Sequence, residues 1–200
     1  MSKSKYSASF TAAALLYPEH LRMEELLRSP DFEERIGKEV EENKYLSIKM
    51  QASRKRVVQE VRKRYEAAPE GFWERFFGWK EAEQRLGLFF LCLKTYALMM
   101  DYQVEVALKK WRSGAVSLDA FDLQMRLDEI ASFDLKVDGW SEGTKRKTIT
   151  NYIRILGEAG LLREGNLVRP ADIESDFWNY FSQIGEGWFI EACFFHKDQI

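Results

Sequence analysis

Apolar positions along the chain recur mostly at spacings of three and four, the period of an amphipathic helix. Leu15, Leu21, Met23, Leu26 and Leu27 begin the pattern, with Pro18 and Pro30 as punctuation, and Phe32 to Val40 predicts a second helix. Ser53 is placed to cap a helix running through Val57, Val58, Val61 and Tyr65 and stopping before Pro69 and Gly71. A short aromatic turn at Trp73 to Phe77 precedes Lys80 to Trp111, whose apolar residues predict one long, largely buried helix. Ser117 is placed to cap the next, which carries Phe121, Met125, Leu127 and Ile130, and turn signals follow at Asp138 and Gly139.

The segment SEGTKRKTITNYIRILGEAGLLREGNLVRP, residues 141–170, combines several signals. With Thr144 as N-cap, Ile149, Tyr152, Ile153 and Leu156 fall on one side of a helix and predict a core face. Lys147, Thr150, Asn151 and Arg154 lie opposite, with Lys145 and Arg146 in the first turn, where cations oppose the helix dipole. Gly157 and Gly160 loosen the helix end. Leu161-Leu162, a turn at Arg163-Glu164-Gly165-Asn166, and Leu167-Val168 then form a hairpin pattern. With 118–132 as the preceding helix, this is the order of a winged helix-turn-helix, which docks its second helix in a major groove.

The distribution of charge sharpens that reading. The net charge is −2, so nothing global points to nucleic acid. Between Lys44 and Tyr65, however, eight basic residues face Glu60 alone, a net of +7, and between Gly143 and Arg163 five face Glu158 alone, a net of +4; the remainder carries −13. Arg54, Lys55, Arg56, Arg62 and Lys63 lie off the valine face and are expected to project. A lone Lys-Arg-Lys triplet is explained by a solvated helix face. Two concentrated basic segments on an acidic body are the footprint of a phosphate-backbone binder.

Other chemistries find little support. Cys92 and Cys193 stand in apolar surroundings without paired spacing, as reduced core thiols do. His20 and His196 are far apart, and no phosphate loop, HExxH or Cys-x-x-Cys motif occurs. Glu24-Glu25, Glu33-Glu34 and Glu41-Glu42 are adjacent on helices and diverge around the axis, as on solvated faces. No catalytic residue, metal or cofactor is therefore expected. Met1 to Tyr17 lacks a signal-peptide core, and LGLFFLCLKTYALMM at 86–100 is shorter than a membrane span and carries Lys94. A cytoplasmic protein without a membrane partner is expected. Residues 171–200 hold eight aromatics and six acids against Lys197, which predicts a segment folded back on the core, with a docking surface for another subunit as the alternative.

Three stretches, KYSASFTAAALLYPE near the start, EENKYLSIKMQASRKRVVQEVRKRY in the first basic segment and WSEGTKRKTITNYIRILGEAGLL near residue 150, resemble the BrxA family of BREX phage-defence systems. The resemblance runs from about residue 5 to residue 170 and rests on the order of the three patterns. It departs at Ser53, where the family pattern has Thr; the capping hydroxyl is kept. The family often carries an inner-membrane label, which the hydropathy does not support. What the resemblance implies is a small non-catalytic accessory protein, similar in part to the antitermination factor NusB, that binds DNA and is encoded with a methyltransferase, an ATPase and a phosphatase-like protein.

The expected fold is mainly α: a compact helical bundle, partly NusB-like, with a winged helix-turn-helix-like segment and a small β-hairpin wing. It divides into a helical region at 1–112, a winged-helix-like region at 113–170 and an aromatic, acidic segment at 171–200 packed on the core. The expected partners are double-stranded DNA and other BREX proteins. Arg54, Lys55, Arg56, Arg62, Lys63, Arg64, Lys145, Arg146 and Lys147 are expected at phosphates, and Thr150, Asn151 and Arg154 at base edges or the groove. A scaffold bridging larger defence enzymes and an RNA-binding regulator are the alternatives.

Overall fold

The computed structural model describes residues 4–12 and 14–196. After a 3-10 turn at Ser9–Ala12 come α1 (Tyr17–Arg22), α2 (Glu24–Leu27), α3 (Phe32–Glu42), α4 (Gln51–Ala67) and α5 (Phe72–Phe76). They are followed by α6 (Glu81–Thr95), α7 (Ala97–Asp101), a π-helix (Tyr102–Leu108) and α8 (Lys109–Arg112). The rest comprises α9 (Ala120–Phe133), α10 (Leu135–Asp138), α11 (Glu142–Glu158), β1 (Leu162–Arg163), β2 (Asn166–Leu167), α12 (Ser175–Gln183) and α13 (Trp188–Ala192). The mainly helical bundle with a two-stranded antiparallel sheet is as the sequence pattern predicts.

The middle of the bundle is α6, whose residues Leu86 to Leu93 are all buried. A helix apolar on every face needs neighbours all round. α3 and α4 pack together, α4 also lies against α6, and α12 and α13 close another side through rings. There Phe90 meets Phe181 edge to face with centroids 4.8 Å apart, and Trp79 meets Phe177 at 4.9 Å. Gly87 permits this approach, because a Cβ there would stand 2.8 Å from the Trp79 ring. The described part of the C-terminal segment is thus built into the core, Phe177, Phe181 and Phe189 being fully covered. Cys92 and Cys193 are free and buried, and burial raises both thiol pKa values.

Several helix boundaries differ from the sequence reading. The predicted helix from Lys80 to Trp111 breaks at Tyr96, which is extended and donates its hydroxyl to Glu60 on α4, and it widens into the π-helix beyond Asp101. α4 starts after Met50, so Ser53 lies inside it, its amide bonded to the Met50 carbonyl. The helix ends with Ala68 extended, the conformation preferred before a proline. Asp119, not Ser117, caps α9, accepting from the amides of Phe121 and Asp122, because Ser117 is held in an extended bridge to Asn166. Ser141, not Thr144, caps α11: a capping oxygen must precede the helix and accept an amide two or three residues into it, and the Ser141 Oγ accepts from Thr144 at 3.2 Å.

Candidate nucleic-acid interface

The segment 116–167 is assembled around α11. Residues 116–118 run antiparallel beside the hairpin, with Leu167 donating to the Val116 carbonyl at 2.7 Å and Leu118 to that of Gly165 at 2.9 Å. α9 and α10 follow and pack on each other, and α11 lies against α9. α11 exits through Gly160, at φ 75°, with the Leu161 amide closing back on the Leu156 carbonyl at 2.9 Å. The hairpin pairs Leu162 with Leu167 and Arg163 with Asn166, and its two turn residues, Glu164 and Gly165, have φ of 51° and 77°. Positive φ at both positions matches the right-handed twist of a tight hairpin.

α11 is two-faced. Thr148, Ile149, Tyr152, Ile155 and Leu156 are buried, and Arg146, Lys147, Thr150 and Arg154 are exposed. Because the helix begins at Glu142, the basic triplet lies beyond the first residues, and the acid at the start suits the dipole. Arg146 and Lys147 join no ion pair among the described residues. Thr150 donates to the Arg146 carbonyl at 3.0 Å, and Arg154 pairs with Glu158 at 2.8 Å while staying 64% exposed. Two residues of the predicted set are placed otherwise. Lys145 is only 13% exposed and pairs with Glu142 at 3.1 Å. Asn151 is half-buried, its Nδ2 donating at 2.5 Å to the carbonyl of Phe10 and so fastening the N-terminal segment to α11.

The first basic segment changes more. Arg54 is buried and donates to the carbonyls of Val40, Ile48 and Lys49 at 2.6 to 3.1 Å, closing the loop between α3 and α4. Arg64 is fully buried and donates to the carbonyls of Leu15 and Ala14. Arg62 pairs with Glu33 across α3 and α4, and Lys63 pairs at 2.7 Å with the buried Glu60. The expectation that Arg54, Arg62 and Lys63 project freely, and that Arg64 meets phosphate, is therefore corrected: the end of α3, the loop after it and residues 14–15 take Arg54 and Arg64 into main-chain bonds, and Arg62 and Lys63, still partly exposed, are held in ion pairs with Glu33 of α3 and Glu60 of α4 itself. Lys55 and Arg56 alone of the predicted six are exposed without an ion pair among the described residues.

Arg163 was outside the predicted set, yet it stands exposed beside the hairpin turn. The strand pairing identifies it, since the residue before a two-residue turn lies at the outer end of the hairpin. Between α9 and α11 runs a groove of about 430 Å³, lined on the α9 side by Ala120, Phe121 and Gln124 and on the α11 side by Glu142, Arg146, Ile149 and Thr150. Among the described residues, no three His, Cys, Asp or Glu side chains are grouped to hold a metal ion. No helix of the described residues is long and apolar enough to cross a membrane.

The family model described as BrxA matches residues 4–185. A solved structure titled as an uncharacterized protein from Magnetospirillum magneticum is similar at a TM-score of 0.78 and 19% identity, covering 95% of this chain and 98% of that one, which shows the shared fold. No curated protein matches.

Proposed function

The chain belongs to the BrxA family, and from that premise we propose that it serves a BREX phage-defence system as a cytoplasmic, non-catalytic accessory protein that binds duplex DNA and works beside the system's larger proteins. The observation that carries this reading is the exposed face of α11. It presents Arg146 and Lys147, free of ion pairs among the described residues, between α9 and a hairpin that ends in Arg163. An extended segment, α9, the one-turn α10, α11 and the hairpin follow in an order like that of a winged helix with one short helix inserted, an arrangement that lays its recognition helix into a major groove while neighbouring cations meet phosphate. Lys55 and Arg56 on α4 add a second cationic element.

Fluorescence anisotropy of the full chain on duplex DNA, single-stranded DNA and RNA, repeated over a salt series, tests the reading. With Lys55, Arg56, Arg146, Lys147 and Arg163 on phosphates, log affinity falls against log salt with a slope of about −4 to −5 on duplex. Binding that ignores salt, or RNA bound more tightly than duplex, overturns it.

A further inference from the structure

Five of the eight large hydrophobic side chains exposed among the described residues fall between positions 116 and 135: Val116, Phe121, Met125, Phe133 and Leu135. Surface hydrophobes scattered singly are ordinary, so only one that shares a concave surface with other functional groups points to a contact. Phe121 is the member that adjoins the basic face. It is 68% exposed, stands in the first turn of α9, and lines the groove whose other wall carries Arg146 and Thr150. Its side chain is not needed to start the helix, because the Asp119 cap uses only the Phe121 amide.

Resting on the duplex-DNA reading above, we infer that Phe121 is the apolar contact of the DNA face, packing against thymine C5-methyl groups in the groove read by α11. Any duplex engaged by Arg146 and Thr150 covers the groove that they share with Phe121. Phosphate is a poor neighbour for a phenyl ring, whereas the thymine methyl is the apolar group on base edges in the major groove. Ala120 of α9 and Ile149 of α11 also line the groove and add apolar atoms to it. Glu142 shares the α11 side of the groove with Arg146 and Asp119 stands exposed beside Phe121, so the attraction for a polyanion comes from Arg146 and Lys147, which join no ion pair among the described residues, while Glu142 is partnered by Lys145.

The full chain and its Phe121→Ala, Phe121→Leu and Arg146→Glu/Lys147→Glu variants are titrated by anisotropy against one A·T-rich duplex and its uracil-substituted copy, over a salt series. Phe121→Ala is expected to bind the thymine duplex roughly tenfold more weakly, the scale of one lost apolar contact. Its salt slope stays that of the wild type, and the wild type's preference for thymine over uracil disappears. Phe121→Leu keeps part of that preference. The double charge reversal lowers both affinity and slope. If the charge variant loses binding and Phe121→Ala does not, the inference falls and the DNA reading stands. A Phe121→Ala loss equal on both duplexes also overturns the methyl contact. No binding of DNA by any form overturns both.

Discussion

Arg64, in the last turns of α4, donates its guanidinium to the main-chain carbonyls of Leu15 and Ala14, nearly fifty positions earlier in the chain. It is fully buried and joins no ion pair among the described residues, so carbonyl dipoles solvate its charge. This side chain ties the N-terminal segment to α4, while Asn151 and Glu158 tie the same segment to α11 through Phe10 and the Leu15 amide. Phe10, Ala14 and Leu15 thereby bridge the two basic helices. Arg64→Met leaves both carbonyls without their donor and is expected to destabilise the protein by about 3 kcal/mol. In a chain of this length that lowers Tm by roughly 6 to 12 °C. Calorimetry checks it; an unchanged Tm with weakened DNA binding would mean that Arg64 acts at the surface after all.

Arg146 and Lys147 should behave in the opposite way. Neither is buried, and neither joins an ion pair among the described residues. Surface substitutions of that kind usually change stability by less than about 0.5 kcal/mol. Arg146→Glu/Lys147→Glu is therefore expected to keep the wild-type Tm while losing one to two orders of magnitude in DNA affinity at low salt. The same reversal at Lys145, packed at 13% exposure beside Glu142, is expected to cost stability as well. Melting curves and anisotropy on the same preparations separate the two cases.

The contrast shows which parts of the site were legible in the sequence. Ile149, Tyr152 and Leu156 marked the buried face of α11, and the Glu-Gly turn marked the hairpin, because periodicity and turn chemistry are local. The bonds of Arg54, Arg62 and Arg64 were hidden for the converse reason. Whether a cation off the apolar stripe meets water or a carbonyl depends on what folds over it, and the segments that do so here, at 14–15, 33, 40 and 48–49, are remote or irregular. The break at Tyr96 was hidden likewise, since a run apolar on all sides carries no phase from which an interruption could be read.

The π-helix couples α11 to the C-terminal segment. Its widened turn faces two consecutive residues inward: Tyr102 meets Thr148 of α11, and Gln103 accepts from the Tyr152 hydroxyl while donating to the carbonyl of Ala192, both at 2.6 Å. All these polar groups are buried, so each bond is costly to leave unmade. Gln103→Leu orphans the Ala192 carbonyl and the Tyr152 hydroxyl and is expected to cost about 2 to 4 kcal/mol. Tyr152→Phe in that background removes one orphan, so the double variant should be less damaged than the two single losses added together. Urea unfolding of the four proteins measures the cycle; strict additivity would show that Gln103 and Tyr152 are not partners.

His20 makes stability depend on acid. Its ring is fully buried and stacks on Trp73 at 5.7 Å; Nδ1 bonds to the Leu16 carbonyl at 2.7 Å, which makes it the donor of a neutral imidazole. Burial first, and the nearby positive charge of Arg64 second, lower its pKa from 6.5 to about 3. A group held neutral in the fold but free to take a proton when unfolded stabilises the fold fully above pH 6.5, and that contribution declines as pH falls toward 3. Within this window the unfolded chain binds the extra proton, so falling pH drives unfolding. His20→Gln, which cannot be charged, removes this share of the acid sensitivity at the cost of some packing at neutral pH. Urea midpoints measured between pH 7 and pH 3 are expected to fall less steeply for His20→Gln than for the wild type. Parallel curves would place the acid-labile group elsewhere in the molecule.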